Sequence, residues 1–106
     1  MKMWIARAAA ALALGGVAPA QPLFAQQPVK IYGLVELSGT GATSGTNFND
    51  GVKLAVKQIN AAGGVLGRKI EYTPSDTQSQ PQTAKALAVR AVDDGAYVVM
   101  GPVFSG

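Results

Sequence analysis

Polar and apolar positions alternate through Val29-Lys30-Ile31-Tyr32-Gly33-Leu34-Val35 and the run ends apolar, which predicts a short buried strand. A polar loop rich in glycine, serine and threonine follows, from Glu36 to Gly45. Beyond it Phe48, Val52, Ala55, Val56 and Ile59 recur at the spacing of one face of a helix. Thr46 or Asn47 is the expected cap of its first turn, since either side chain can accept from an unpaired N–H. Gly63-Gly64 is the expected end, because glycine accepts the left-handed conformation that closes a helix.

Val65 to Arg68 reads as a turn, and Lys69-Ile70-Glu71-Tyr72-Thr73 alternates again, so it predicts a second strand. The polar stretch Ser75 to Ser79 leads to a second helix. Ser79 with Gln82 has capping-box spacing, and Pro81 suits a first turn. Ala84, Leu87, Ala88, Ala91 and Val92 form its apolar stripe, and Gly95 is a stop signal. Tyr97-Val98-Val99-Met100 is wholly apolar, as a strand covered on both faces would be. The fold class is therefore α/β, a βαβαβ unit with parallel pairing and right-handed crossovers. Strand one is expected in the middle, between strands two and three. The loops after strands one and three then leave the same end of the sheet, where the strand order reverses and a crevice opens.

Composition changes the picture at the N-terminus. Lys2 and Arg7 precede an apolar run from Ala8 to Val17, followed by Pro19, Pro22 and small residues, the order of a secretory signal peptide. The run is far short of the roughly 20 residues that span a bilayer. Cleavage is expected after Ala25, giving a signal peptide over 1–25 and a folded part over 26–106; cleavage after Ala20 is the alternative. Without Lys2 and Arg7 the balance is seven bases to six acids, scattered and without interleaved aromatics, so no nucleic-acid footprint is present. Cysteine is absent, and the fold does not rely on disulfides. Roughly 80 residues after cleavage is small for an independent parallel α/β domain, which predicts a fragment of a longer protein or a truncated gene product.

Candidate chemistry is sparse. Gly39-x-Gly41-x-x-x-Gly45 misses the dinucleotide fingerprint by one residue, although Asp76 stands near the place of the usual acid. With neither histidine nor cysteine in the chain, Ser38, Ser44 and Ser105 have no histidine base, and none sits in G-x-S-x-G. Lys53 and Lys57 read as a wet helix face, Asp93-Asp94 as a solvated helix end, and Tyr32 and Tyr72 as strand packing. The two small polar loops keep two readings: ordinary turns, or hydroxyls and free N–H groups beside a helix N-terminus that hold a carboxylate without metal or cofactor.

Leu34-Val35-Glu36-Leu37-Ser38-Gly39, Gly51 to Val56, Ile59-Asn60-Ala61-Ala62-Gly63-Gly64-Val65-Leu66-Gly67-Arg68, Asp76-Thr77-Gln78-Ser79, the Ala84 to Asp94 helix and Val99-Met100-Gly101-Pro102 together resemble the start of a mature type I periplasmic solute-binding protein. The likeness is to the branched-chain amino-acid (leucine/isoleucine/valine) receptors of ABC transporters, and it runs over Val29 to Gly106. The resemblance implies two α/β lobes joined by a hinge and closing on a ligand, of which this chain holds the opening of lobe one. It implies a ligand carboxylate held after strand three by a serine hydroxyl and backbone N–H groups. Ser105 matches that position, flanked by Phe104 and Gly106. The loop after strand one, with Ser38 and Ser44, would line the crevice. It carries no aromatic at Thr43-Ser44-Gly45, which leaves the class of ligand side chain open.

The expected function is a non-enzymatic periplasmic receptor for a branched-chain amino acid or similar small carboxylate. The implied partners are that ligand and the membrane permease of an ABC importer, with no cofactor, no metal and no nucleic acid. An extracellular ligand-sensing domain of a signalling receptor is the alternative, and a nucleotide-dependent oxidoreductase is a further one.

Overall fold

The computed structural model describes residues 27–104; the expected signal peptide, Ser105 and Gly106 lie outside the described residues. Three strands, β1 (Val29–Val35), β2 (Ile70–Asp76) and β3 (Val98–Met100), alternate with two helices, α1 (Ala42–Ala61) and α2 (Pro81–Asp93). The sheet order is β2-β1-β3, and both pairings are parallel, as the alternating pattern predicts. Val29 pairs with Ile70 and Val35 with Asp76, while Ile31 pairs with Val98 and Gly33 with Met100.

The helices lie on opposite faces of this sheet. Tyr72 donates its hydroxyl to Asn49 of α1 at 2.8 Å. The adjacent Thr73, with Tyr32, instead faces Leu87 and Ala91 of α2 across a cavity of about 270 Å³. Neighbouring strand residues point to opposite faces, so the two helices must be on opposite sides. Burial also raises the Tyr72 phenol above its ordinary pKa, in keeping with a tyrosine used for packing. The buried apolar residues are Val29, Leu34, Val35, Ile70 and Ala91, which places the core on β1 and its immediate neighbours.

Three boundaries differ from the sequence pattern. α1 begins at Ala42, inside the stretch expected as loop, so Ser44, Gly45, Thr46 and Asn47 are helical. Its N-cap is Gly41, and no side chain within the helix caps it. The cap comes instead from another loop, because the Gly41 N–H donates to the Ser79 hydroxyl at 3.0 Å. That leaves Ser79 outside the expected capping box; the N-cap of α2 is Gln80, with Pro81 following. β2 runs on past Thr73 to Asp76, because Pro74, Ser75 and Asp76 pair with Gly33, Leu34 and Val35. A proline without an N–H is tolerated there, since β2 lies at the edge of the described sheet.

β3 is also exposed where the apolar run predicted cover on both faces. Val98 and Val99 are 40% and 37% exposed. The reason is position: among the described residues β3 pairs only with β1 and ends the strand order. The α1 stripe is correct at Phe48, Val52 and Val56, but Ala55 and Ile59 are exposed, and Gly45 and Asn49 are buried instead. The stripe is rotated because Gly45 makes the close approach to the sheet. Its N–H donates to the Gly41 carbonyl, and a Cβ at this position would overlap the carbonyl oxygen of Glu36.

The segment after α1 is built around Asn60. Its side-chain amide donates to the Ile70 carbonyl at 2.9 Å and accepts from the Ile70 N–H at 2.7 Å, as a paired strand residue would. Gly64, with φ of +81°, turns the chain, and a Cβ there would overlap the Arg68 carbonyl, so no side chain fits.

Candidate functional site

Every strand ends at the same rim, and three short loops meet there. The loops are Glu36–Gly41 after β1, residues 77–80 after β2 and residues 101–104 after β3. Hydrogen bonds that cross between loops hold them together. Asp76, at the end of β2, accepts from the Leu37 N–H at 3.0 Å, the Ser38 N–H at 3.2 Å and the Ser38 hydroxyl at 2.7 Å. It also accepts from the Gln78 N–H at 2.8 Å. The Ser38 hydroxyl bond is the largest influence holding the Asp76 carboxyl below its ordinary pKa; desolvation opposes it, and the Gln78, Leu37 and Ser38 N–H groups reinforce it. Ser79 links the same two loops from the other side, donating its hydroxyl to the Ser38 carbonyl at 2.8 Å.

The third loop is held by Glu36. This residue follows β1 and is only 3% exposed. One carboxylate oxygen accepts from the Val103 N–H at 3.1 Å and the other from the Phe104 N–H at 3.3 Å. Between the loops and the first turn of α2 lies a cavity of about 340 Å³, lined among others by Glu36, Thr40, Ser79, Pro81, Pro102 and Phe104. Its walls join the Glu36 carboxylate and the hydroxyl-bearing Thr40, Thr77 and Ser79 to two proline rings and a phenyl group. That is the mixture that seats a small molecule with a polar head and an apolar body.

The residues singled out from the sequence fall in different places. Phe104 lines the cavity, and its ring lies against Gly41 at the start of α1. Ser38 is at the rim, with its hydroxyl proton committed to Asp76, so toward a ligand it offers only oxygen lone pairs. Ser44 is exposed in the first turn of α1 rather than in a loop. Asp76, weighed above as the acid of a nucleotide site, is engaged in holding the β1 loop. Sequence reasoning passed over Glu36, whose only signal was an acid set between Val35 and Leu37 at the end of an apolar strand.

Comparison with known proteins places this arrangement in a class. A periplasmic binding protein family model matches residues 28–106, and the chain belongs to that family. Among its relatives is a Leu/Ile/Val-binding protein of Rhizobium johnstonii, 36% identical over 73 residues, covering 69% of this chain and 20% of that protein. The leucine-, isoleucine-, valine-, threonine- and alanine-binding protein of Pseudomonas aeruginosa is 35% identical over 101 residues, covering 95% of this chain and 26% of that protein. In structure the chain is similar to the branched-chain amino acid transporter substrate-binding protein of Streptococcus pneumoniae solved with isoleucine. The TM-score is 0.69 with 37% identity, over 71% of this chain and 22% of that one. The chain thus spans about a quarter or less of the length of these relatives.

Proposed function

We propose that this chain is the opening of lobe one of the substrate-binding component of an ABC importer, which takes up a branched-chain amino acid or a similar small carboxylate between two lobes. The observation that carries the reading is the rim: three loops at the carboxyl ends of parallel strands enclose a cavity of about 340 Å³, and the third of them leads into Ser105. Ligands of open α/β sheets bind at such a reversal of strand order. The isoleucine complex of the S. pneumoniae relative supports the ligand class.

In this reading Ser105, with the backbone from Phe104 to Gly106, holds the ligand carboxylate, and Ser38 and Ser44 border the crevice. The protein is a receptor and not an enzyme, and its partner is the membrane permease. Calorimetric titration of the full-length protein with isoleucine, leucine and valine tests this, with saturable binding expected and the ligand recovered unchanged. Absence of binding by all three amino acids would reject the branched-chain ligand.

Residues 1–25 act as a signal peptide that delivers the protein to the periplasm. Mass spectrometry of the periplasmic protein is expected to show an N-terminus at Gln26, or at Gln21 for the alternative site. Intact Met1 in a membrane fraction would overturn this.

A further inference from the structure

Two successive backbone N–H groups, those of Val103 and Phe104, point at the two oxygens of one buried carboxylate. Such a pair fixes more than a distance. With each oxygen taken by a different N–H, the loop can neither slide along the carboxylate nor rotate about it. Glu36 directly follows β1, the central strand, and is almost wholly buried, so its carboxylate has little room to change place.

The side chain of Phe104 is placed by the same arrangement. A Cβ on Gly41 would lie 2.5 Å from the Phe104 ring and 3.0 Å from the Cβ of Glu36. The ring therefore rests on bare backbone at the start of α1, beside the stem of the glutamate. Gly41 has φ of −90° and ψ of 3°, which any residue can adopt, so the missing side chain there makes room and answers no backbone demand.

We propose that Glu36 is the positioning residue of the ligand site: its carboxylate fixes the loop after β3, and with it the Phe104 ring, in the binding arrangement before ligand arrives. The inference rests on the functional reading above and adds a residue to it. A loop already ordered loses less freedom when ligand binds, so the affinity gained is that of preorganisation rather than of direct contact.

Glu36→Gln tests the carboxylate at constant size. The amide has only one acceptor oxygen, and its NH₂ group faces an N–H donor, so one of the two bonds is lost. Gly41→Ala displaces the ring while keeping the carboxylate's charge and both acceptor oxygens, with a lesser contact on the Glu36 stem. Both are made in the full-length protein, and isoleucine affinity is measured by calorimetry alongside thermal stability. Amide hydrogen exchange at Val103 and Phe104 is followed in the ligand-free state.

The expected result is an affinity about tenfold weaker in each variant. In Glu36→Gln, exchange at Val103 and Phe104 should become faster while the β1 amides stay protected. A merely structural role would lower the melting temperature and leave the affinity of the folded protein unchanged; that outcome overturns the proposal. Unchanged exchange at Phe104 in Glu36→Gln overturns it as well. If the wild type binds none of isoleucine, leucine and valine, the ligand reading has failed on its own, and exchange alone then decides whether Glu36 orders the loop. If Glu36→Gln does not fold, Gly41→Ala decides, and equal isoleucine affinity in that variant rejects the proposal.

Discussion

The carbonyl oxygen of Glu36 occupies the space that a Cβ on Gly45 would need. Helix α1 and the end of β1 approach to backbone contact at that point, and the helix cannot move away without losing its seat on the sheet. Gly45→Ala is therefore expected to destabilise the protein by about 1–3 kcal/mol. Gly51, in the same helix, has nothing within 4 Å of a built Cβ. Gly51→Ala is expected to stabilise by about 0.5–1 kcal/mol, because alanine loses less backbone freedom in a helix. Chemical denaturation of both variants checks the pair, and shifts of the same sign would contradict the close approach.

Asn60 pairs through its side chain with both backbone groups of Ile70. Asn60→Ala removes two hydrogen bonds and leaves a part-buried N–H and carbonyl without partners. A loss of about 1–3 kcal/mol is expected, together with faster amide exchange at Ile70. Normal protection of the Ile70 amide in the variant would show that β2 begins without this support.

Asp76 links acidity to stability. Its folded-state pKa is depressed, so its contribution is fully present above the unfolded value and is lost as pH falls through the folded one. The stability gap between wild type and Asp76→Asn is therefore expected to be widest near neutrality. It should narrow as pH drops from about 4 toward the lower folded value. Thermal unfolding of the two proteins over that range measures the gap. A gap independent of pH would mean that the carboxylate charge does not hold the β1 loop.

Ser105→Ala in the full-length protein is expected to weaken binding of isoleucine and leave the fold intact. One hydrogen bond to a charged carboxylate contributes roughly 1.5–3 kcal/mol, or about a tenfold to hundredfold change in affinity. Lys57→Ala, on the exposed face of α1, is the control and should bind like wild type. Equal affinities for wild type and Ser105→Ala would remove this serine from the site.

The strands and helices were legible because each rests on local periodicity, and the central place of β1 followed from the alternating order of the elements. The misread boundaries have non-local causes. α1 starts at Ala42 because a serine two elements later supplies its cap. β2 continues through Pro74 because pairing with β1 outweighs a local composition that reads as a turn. The same holds at the site. Phe104 was found through resemblance, whereas Glu36 meets Val103 and Phe104 across 67 and 68 residues of chain. A carboxylate that satisfies distant backbone N–H groups leaves no spacing signal in the sequence.

The β2-β1-β3 order also governs how the chain emerges during synthesis. β1, with which both other described strands pair, is made before them and has neither partner when it emerges. Its first partner arrives only after the whole of α1, and its second only after α2 as well. Among the described strands no hairpin shortens the wait, because parallel neighbours require a helical crossover and distant pairings form slowly. In this topology the described sheet stays incomplete until β3 has been made, so its closure waits on the last of its three strands.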